Sequence, residues 1–384
     1  VPVRFRVPLA CALLALLAAA VVLVPTLGSS GGHPSWLVRM AADEPMARFA
    51  READPGFLFV PKDSHYDGVY FYAIALDPVL LGEQHEVLTQ PAYRYRSPLV
   101  GWLAGALAVG QAPLVPWALL LLGVAALAIG AFLVSLLAVA LGASPWLGLL
   151  VALNPGLLLA VTVVTAEPVA MAFIAGGLLA WITGRRWPAA VLLVAAALSR
   201  EIGVLVAAGI GLAELAAWWR LRDDRPPFRA WLRHVAPLAV APVVYLAWWG
   251  YLTARLGSLP TFEPSNLELP LLATWHTILD AADLALKPSM EQMQLGVAMV
   301  PLLGALLVAA LVGLVRALRL RTIVDGAVVV SAVLVLSLNW LPMLYPKEML
   351  RNTAIFGVLL ILSFAARTVV VRRNGAEPGA SPEP

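Results

Sequence analysis

At 384 residues, 61% hydrophobic and only 13% charged, with a mean hydropathy of +0.85, the chain carries more apolar surface than a soluble core of its length can bury, which excludes an ordinary soluble globular domain. The formal charge of +3 is small, and no basic stripe is interleaved with aromatics on a polar module, which excludes nucleic acid as a partner. Cys11 is the single cysteine and lies inside an apolar run, which excludes disulfides and cysteine metal sites.

Arg4 and Arg6 precede an apolar stretch from Pro8 to about Leu27, long enough to span a bilayer at 1.5 Å per residue. The positive-inside rule puts this end in the cytoplasm. A cleaved signal peptide is the competing reading, but such cores run only about 7 to 15 residues. Residues 28–97 form a long polar loop, placed outside, in which Tyr66 to Leu81 is too short to span and is expected to lie in the interface as a helix. Residues 98–110 read as a short dipping segment broken at Gln111 and Pro113. Spanning helices follow at 114–141, 146–165, 168–183, 187–199, 202–219, 235–255, 295–315, 323–341 and 353–371, about ten in all with the first. Residues 256–294 form a second external loop.

Three of the 26 basic residues are lysine (Lys62, Lys287 and Lys347), and the arginines cluster in short connections. Arg185 and Arg186, the Arg220 to Arg233 segment, Arg316, Arg319 and Arg321, and the tail Arg367, Arg372 and Arg373 are all expected to be cytoplasmic. The expected organisation is therefore a single polytopic membrane domain over 1–371 and a disordered cytoplasmic tail over 372–384, with both termini cytoplasmic in a bacterial-type inner (plasma) membrane.

On this threading the external face collects His65, Asp67, Arg94, Arg96, Glu167, Arg200, Glu201, Trp275, His276, Lys347, Glu348 and Arg351. Ionisable groups near a bilayer cost about 2.5 to 3.5 kcal/mol each, so they are expected to line a wet cavity or to pair. Asp67 has two readings, a general base at the headgroup level or the N-cap of the helix that follows. Arg94 and Arg96, each beside a tyrosine, read as a phosphate grip or as interfacial anchors. Glu167 precedes Pro168 at an external turn, where a carboxylate at a helix N-terminus is favoured in any case. Arg200 and Glu201 interrupt an apolar run and need partners, either a phosphate or an internal ion pair. Lys347 and Arg351 are spaced i, i+4 and share a helix face, reaching an anion or anchoring the last helix. His65, His85 and His276 are too scattered for a metal motif, and no HExxH, P-loop or GxSxG occurs.

The segments HYDGVYFYAIA (65–75), YRYRSPLVGWLA (93–104), NPGLLLAVTVVTAEP (154–168), LSREIGVL (198–205) and YPKEMLRNTAIFGVLLIL (345–362) together resemble the GT-C superfamily of membrane glycosyltransferases. The chain looks most like bacterial relatives of the dolichol-phosphate-mannose-dependent mannosyltransferases and of the ArnT-like and protein-mannosylation enzymes. The resemblance implies an all-α polytopic fold and a polyprenyl-phosphate-linked sugar donor, with a lipid, glycan or protein as acceptor. It implies Asp67 as the catalytic carboxylate, Glu167 as the second acidic position, and Arg94, Arg96, Arg200 and Arg351 as phosphate ligands. His65, Tyr66, Glu201, His276 and Lys347 complete the expected substrate-binding set, and a divalent metal stays open with no ligand set evident.

Such chemistry suits the expected geometry. A polyprenyl tail stays in the bilayer while the anomeric carbon lies at the headgroup level, cations neutralise the departing phosphate, and a carboxylate on the opposite face takes the acceptor proton, giving inversion. Two other functions compete: a lipid or small-molecule transporter or flippase, suggested by the short segments 168–183 and 187–199, and a non-catalytic scaffold.

Overall fold

The computed structural model describes residues 3–221, 225–261 and 266–367. Arg372, Arg373, the expected tail 372–384 and the end of the last expected span, 368–371, lie outside them. The described residues are helical, without a strand among them, and hold two isolated bridges, Ala41 with Val60 and Leu267 with Leu338. The helices that matter here are α1 (Val3–Gly28), α2 (Gly68–Leu76), α3 (Leu99–Leu107), α4 (Val115–Ala140), α5 (Pro155–Thr162), α6 (Glu167–Ile182), α7 (Arg186–Ser199), α8 (Ile202–Arg220), α9 (Val240–Leu256), α10 (Leu272–Ala285), α11 (Met290–Ala317), α12 (Ile323–Ser337) and α13 (Pro346–Ala365).

Local signals set several of these boundaries. Asn154 caps α5 by accepting from the backbone N–H groups of Gly156 (3.0 Å) and Leu157 (3.2 Å), with Pro155 in the first turn. Thr322 and Asp325 form a reciprocal capping box that opens α12. The left-handed Gly257 (φ 67°) ends α9, where a side chain would be strained.

Among the described residues, six helical stretches are long and apolar enough to cross a membrane: Phe5–Gly28, Ala112–Ala140, Ile202–Arg220, Phe228–Leu256, Met290–Ala317 and Pro346–Ala365. A seventh is added if Pro145–Ala152 and Pro155–Thr162, bent by 45°, count as one. The bend falls where Pro155 has no N–H to continue the ladder and Asn154 restarts the helix as its cap. Helices occupy all ten segments read from the sequence, but α6, α7 and α12 have only 16, 14 and 15 residues. At 1.5 Å per residue they reach roughly 21 to 24 Å, short of the ~30 Å hydrocarbon core. The last of these stops at Ser337 because Leu338 turns extended to pair with Leu267.

Apolar faces point outward over much of the surface. Leu13 and Val21 on α1, Leu121 on α4 and Val315 on α11 are each more than 60% exposed, an arrangement only a lipid solvent supports. Inside the bundle α4 packs on α6 and α1, α6 on α7, and α8 on α12.

Two expectations about the loops change. The expected interfacial helix is the nine-residue α2, and it is buried rather than laid on the surface, because α3 packs on it so closely that Gly101 and Gly105 leave no room for a Cβ against Ile74 and Ala75. The expected loop 256–294 contains α10, which lies along α11 and shares a small core with Met299, Leu303, Met343 and Met349.

The two ends of the bundle differ in chemistry. At one end arginines cover helix-terminal carbonyls: Arg220 Nη1 donates to Leu320 O (2.7 Å) and Nη2 to Arg319 O, and Arg316 Nη2 donates to Ser363 O (2.7 Å). Arg186 belongs to the same end, where it contacts Glu214 and His234. The opposite end, formed by the start of α6, the α7–α8 turn, the end of α12 and the start of α13, holds carboxylates as well as arginines around a cavity.

Candidate active site

This cavity measures about 470 Å³ and is lined by His65, Tyr66, Asp67, Arg94, Arg96, Glu167, Arg200, Glu201, Lys347 and Arg351, with Phe71, Ile202, Leu334, Leu338 and Ile355 supplying an apolar side. Ten of the eleven candidate residues from the sequence therefore meet in one hollow. The eleventh, His276, does not line it; on α10 its Nδ1 lies 2.9 Å from Glu268 Oε2.

Arg351 is the hub. One turn into α13 and 6% exposed, it directs Nη1 to Asp67 Oδ2 (2.8 Å), Nη2 to Glu348 Oε2 (2.9 Å) and Nε toward Glu167 Oε1 (3.6 Å). Glu167 is buried at the first turn of α6 with Arg200 Nη1 3.3 Å away, so two arginines offset one shielded carboxylate. Arg200 also donates to Asn352 Oδ1 (3.0 Å). Its neighbour Glu201 faces Arg96 instead (3.7 Å), so the two adjacent charges hold separate partners. Burial alone would raise the Glu201 carboxyl above its ordinary range, but Arg96 and Arg200 hold it below.

Two close backbone approaches build this hub. The Cβ position of Gly68 lies 2.7 Å from Val38 O and 2.9 Å from Val163 O, so only glycine lets the start of α2 sit against the strand of chain leading to Glu167. Gly156 on α5 meets Leu350 O at 2.0 Å from its Cβ position, which seats the α13 turn carrying Arg351. Gly156→Ala is therefore expected to push α13 outward and to destabilise the protein by about 1–3 kcal/mol. Thermal melts check this, and an unchanged melt would refute it.

Asp67 occupies the N-cap position of α2, yet its side chain makes no cap hydrogen bond. Its carboxylate turns into the cavity toward Arg351 and Arg94 (Oδ1 to Nη1 3.7 Å), which removes capping as the reason for its placement. Burial would raise this carboxyl, and the charges of Arg351 and then Arg94 more than reverse that, holding it at about 2 instead of 3.8. A depressed carboxyl stabilises the fold at pH above its ordinary value and loses that contribution as the pH falls through the lowered one. Melting temperature should thus drop between about pH 4 and pH 2 more steeply in the native protein than in Asp67→Asn. Parallel pH curves for the two would contradict the pairing.

Aromatic rings frame the cations. Arg94 lies over the Tyr70 ring at 3.8 Å and Arg96 over Tyr93 at 3.7 Å, which fixes both guanidinium planes near the cavity wall. Tyr66 stands between Lys347 and Arg351, whose charged groups lie 5.1 and 4.9 Å from its ring centroid. Lys347 is exposed at the cavity mouth, one turn before Arg351.

Some functional neighbours were not visible in the sequence. Glu44 accepts from Ala41 N–H (2.6 Å) and lies 2.6 Å from His65 Nδ1, orienting the imidazole at the cavity wall across 21 residues of chain, a separation with no local signal. Asn352 and Tyr70 likewise join the site through contacts that carry no local signal. Glu348 did carry a signal, its i, i+3 spacing to Arg351. Among the described residues no group of three or more His, Cys, Asp or Glu is arranged to hold a metal ion.

Comparison with family models, with curated proteins and with solved structures finds no match to this chain. The site's chemistry therefore rests on its own geometry.

Proposed function

We propose that the protein is a multi-pass membrane glycosyltransferase of the GT-C type, moving a sugar from a polyprenyl-phosphate carrier to a lipid, glycan or protein acceptor on the external face. The observation that carries this reading is that Asp67 and Glu167, exactly a hundred residues apart in the chain, share one cavity with Arg94, Arg96, Arg200 and Arg351 at the end of the bundle opposite Arg186, Arg220 and Arg316. By the positive-inside rule the arginine-rich end is cytoplasmic and the cavity opens outward, in an inner-membrane orientation with ten crossings in which the bilayer thins locally around the short α6, α7 and α12.

In this reading the donor lies with its tail in lipid and its phosphate against the arginines. As the bond from the anomeric carbon to the phosphate oxygen breaks, negative charge grows on the phosphate and the guanidinium groups stabilise it. The acceptor hydroxyl attacks from the opposite face, and its proton passes to the Asp67 carboxylate. A carboxylate of low basicity suffices, because the hydroxyl becomes strongly acidic once it bonds to an oxocarbenium-like carbon. Glu167 keeps Arg200 and Arg351 in place, so its role is to position the phosphate ligands.

The purified protein, given a panel of polyprenyl-phosphate sugars in mixed micelles, is expected to consume one donor, read by mass spectrometry as loss of the sugar-linked lipid and gain of free polyprenyl phosphate. Movement of intact donor across liposomes without its cleavage would reject the transferase in favour of a flippase.

A further inference from the structure

The charge of Arg351 is already compensated, since Nη1 and Nη2 bond Asp67 and Glu348 and Nε lies 3.6 Å from Glu167. An anion entering the cavity meets an arginine that is already neutralised, so it must take the place of one of the three. Glu167 is the least able to let go: its side chain is 2% exposed, and without Arg351 a shielded charge would lose half its compensation. Glu348 is held beside Arg351 by the helix they share. Asp67 is different in kind, because it comes from another element, is 35% exposed so that water can receive its carboxylate, and reaches Arg94 only at 3.7 Å. The Nε atoms of Arg94 and Arg351 are buried without a hydrogen-bond partner, so both guanidinium groups have donor capacity unused at rest.

We infer that the resting Asp67 carboxylate occupies the seat of a phosphate group, and that a phosphate ester binds between Arg94 and Arg351 by displacing it. The consequence for sugar transfer rests on the function proposed above: the donor's phosphate takes over the cations that weaken Asp67 as a proton acceptor, and the released carboxylate turns to the acceptor hydroxyl. Binding and basicity are then two faces of one coupling, and the coupling is reciprocal. It also gives a reason for placing arginines against the catalytic carboxylate, since the carboxylate is freed to face the acceptor only when donor is present.

The test is calorimetric titration of the full-length protein in detergent with inorganic phosphate and with farnesyl phosphate. Asp67→Asn removes the competing charge and is expected to bind phosphate more tightly than the native protein, on the order of fivefold. Arg94→Gln is expected to bind more weakly. A gain in Asp67→Asn with both ligands supports the seat as a general phosphate site, and a gain with farnesyl phosphate while inorganic phosphate stays silent supports it as a lipid-phosphate site. Equal or weaker binding by Asp67→Asn, or no binding of either ligand to any form, overturns the inference. A readout on the native protein covers the case of a variant that does not fold: infrared difference spectra should show a carboxylate stretching band move when farnesyl phosphate is added, and an unmoved band overturns the displacement. Tighter phosphate binding by Asp67→Asn in a protein that consumes no sugar donor would keep the seat and reject the transferase, so the two readings fail separately.

Discussion

On the proposed sugar-transfer function, Asp67→Asn is expected to leave the protein folded and able to bind a polyprenyl phosphate, yet to lower turnover by a factor on the order of 10² to 10⁴. The amide keeps the size and one acceptor oxygen of the carboxylate but cannot take a proton from the acceptor hydroxyl. It also withdraws negative charge from Arg351, which still has Glu348 and Glu167, and from Arg94, which the Tyr70 ring still holds. Because Asp67 is partly exposed, the fold should tolerate the exchange at neutral pH. The measurement is a split between kcat and KM with the consumed donor: kcat collapses, while KM for donor stays level or falls. A rise in KM with unchanged kcat would make Asp67 a binding residue and leave the proton without an acceptor.

Arg351→Gln should be the more damaging exchange, because it acts on the fold and the chemistry together. Its removal leaves Asp67, Glu167 and Glu348 close to one another with Arg94 and Arg200 as the remaining counter-charges, and Glu167 is closed off from water. Breaking a buried pair from one side costs about 3–5 kcal/mol, far more than the pair contributes relative to an apolar replacement. Thermal melts in detergent are expected to show that loss, and any protein that remains folded should have lost turnover on the order of 10²- to 10³-fold through the missing phosphate ligand. Arg351→Lys is expected to rescue little, since an ammonium is a single point of charge and cannot face three carboxylates from three sides as the planar guanidinium does. Full stability with Lys at this position would show that only net charge matters there.

How far these residues could be found without coordinates depends on the range of the signal each one carries. Glu348 and Lys347 announce their relation to Arg351 through helix spacing, and Glu167 announces a helix start through Pro168. Asp67 stands out as an acid before an apolar stretch, but only its side chain, turned away from the helix, decides between cap and cavity. His65 and His276 both stand in the expected substrate-binding set, yet His276 on α10 is tied to Glu268 and only His65 reaches the hollow.

The amino-acid sequence by itself determined the solvent and the polarity of this protein. An excess of apolar residues in long runs, interrupted by arginines in short connections, dictates membrane helices with one arginine-rich end, because transfer free energy and charge placement are sums over local segments. Only the tertiary structure decided which charges meet. Arg351 and Asp67 are 284 residues apart, and what joins them is the seating of α5 on α13 at Gly156 and of α2 beside Val163 at Gly68. It also decided that α12 stops short at Ser337 and that the Pro145–Thr162 stretch is bent, because a helix ends where its backbone groups find a partner elsewhere, as Leu338 does with Leu267. Contacts of that range depend on the shapes of packed helices, which no periodicity in the chain encodes.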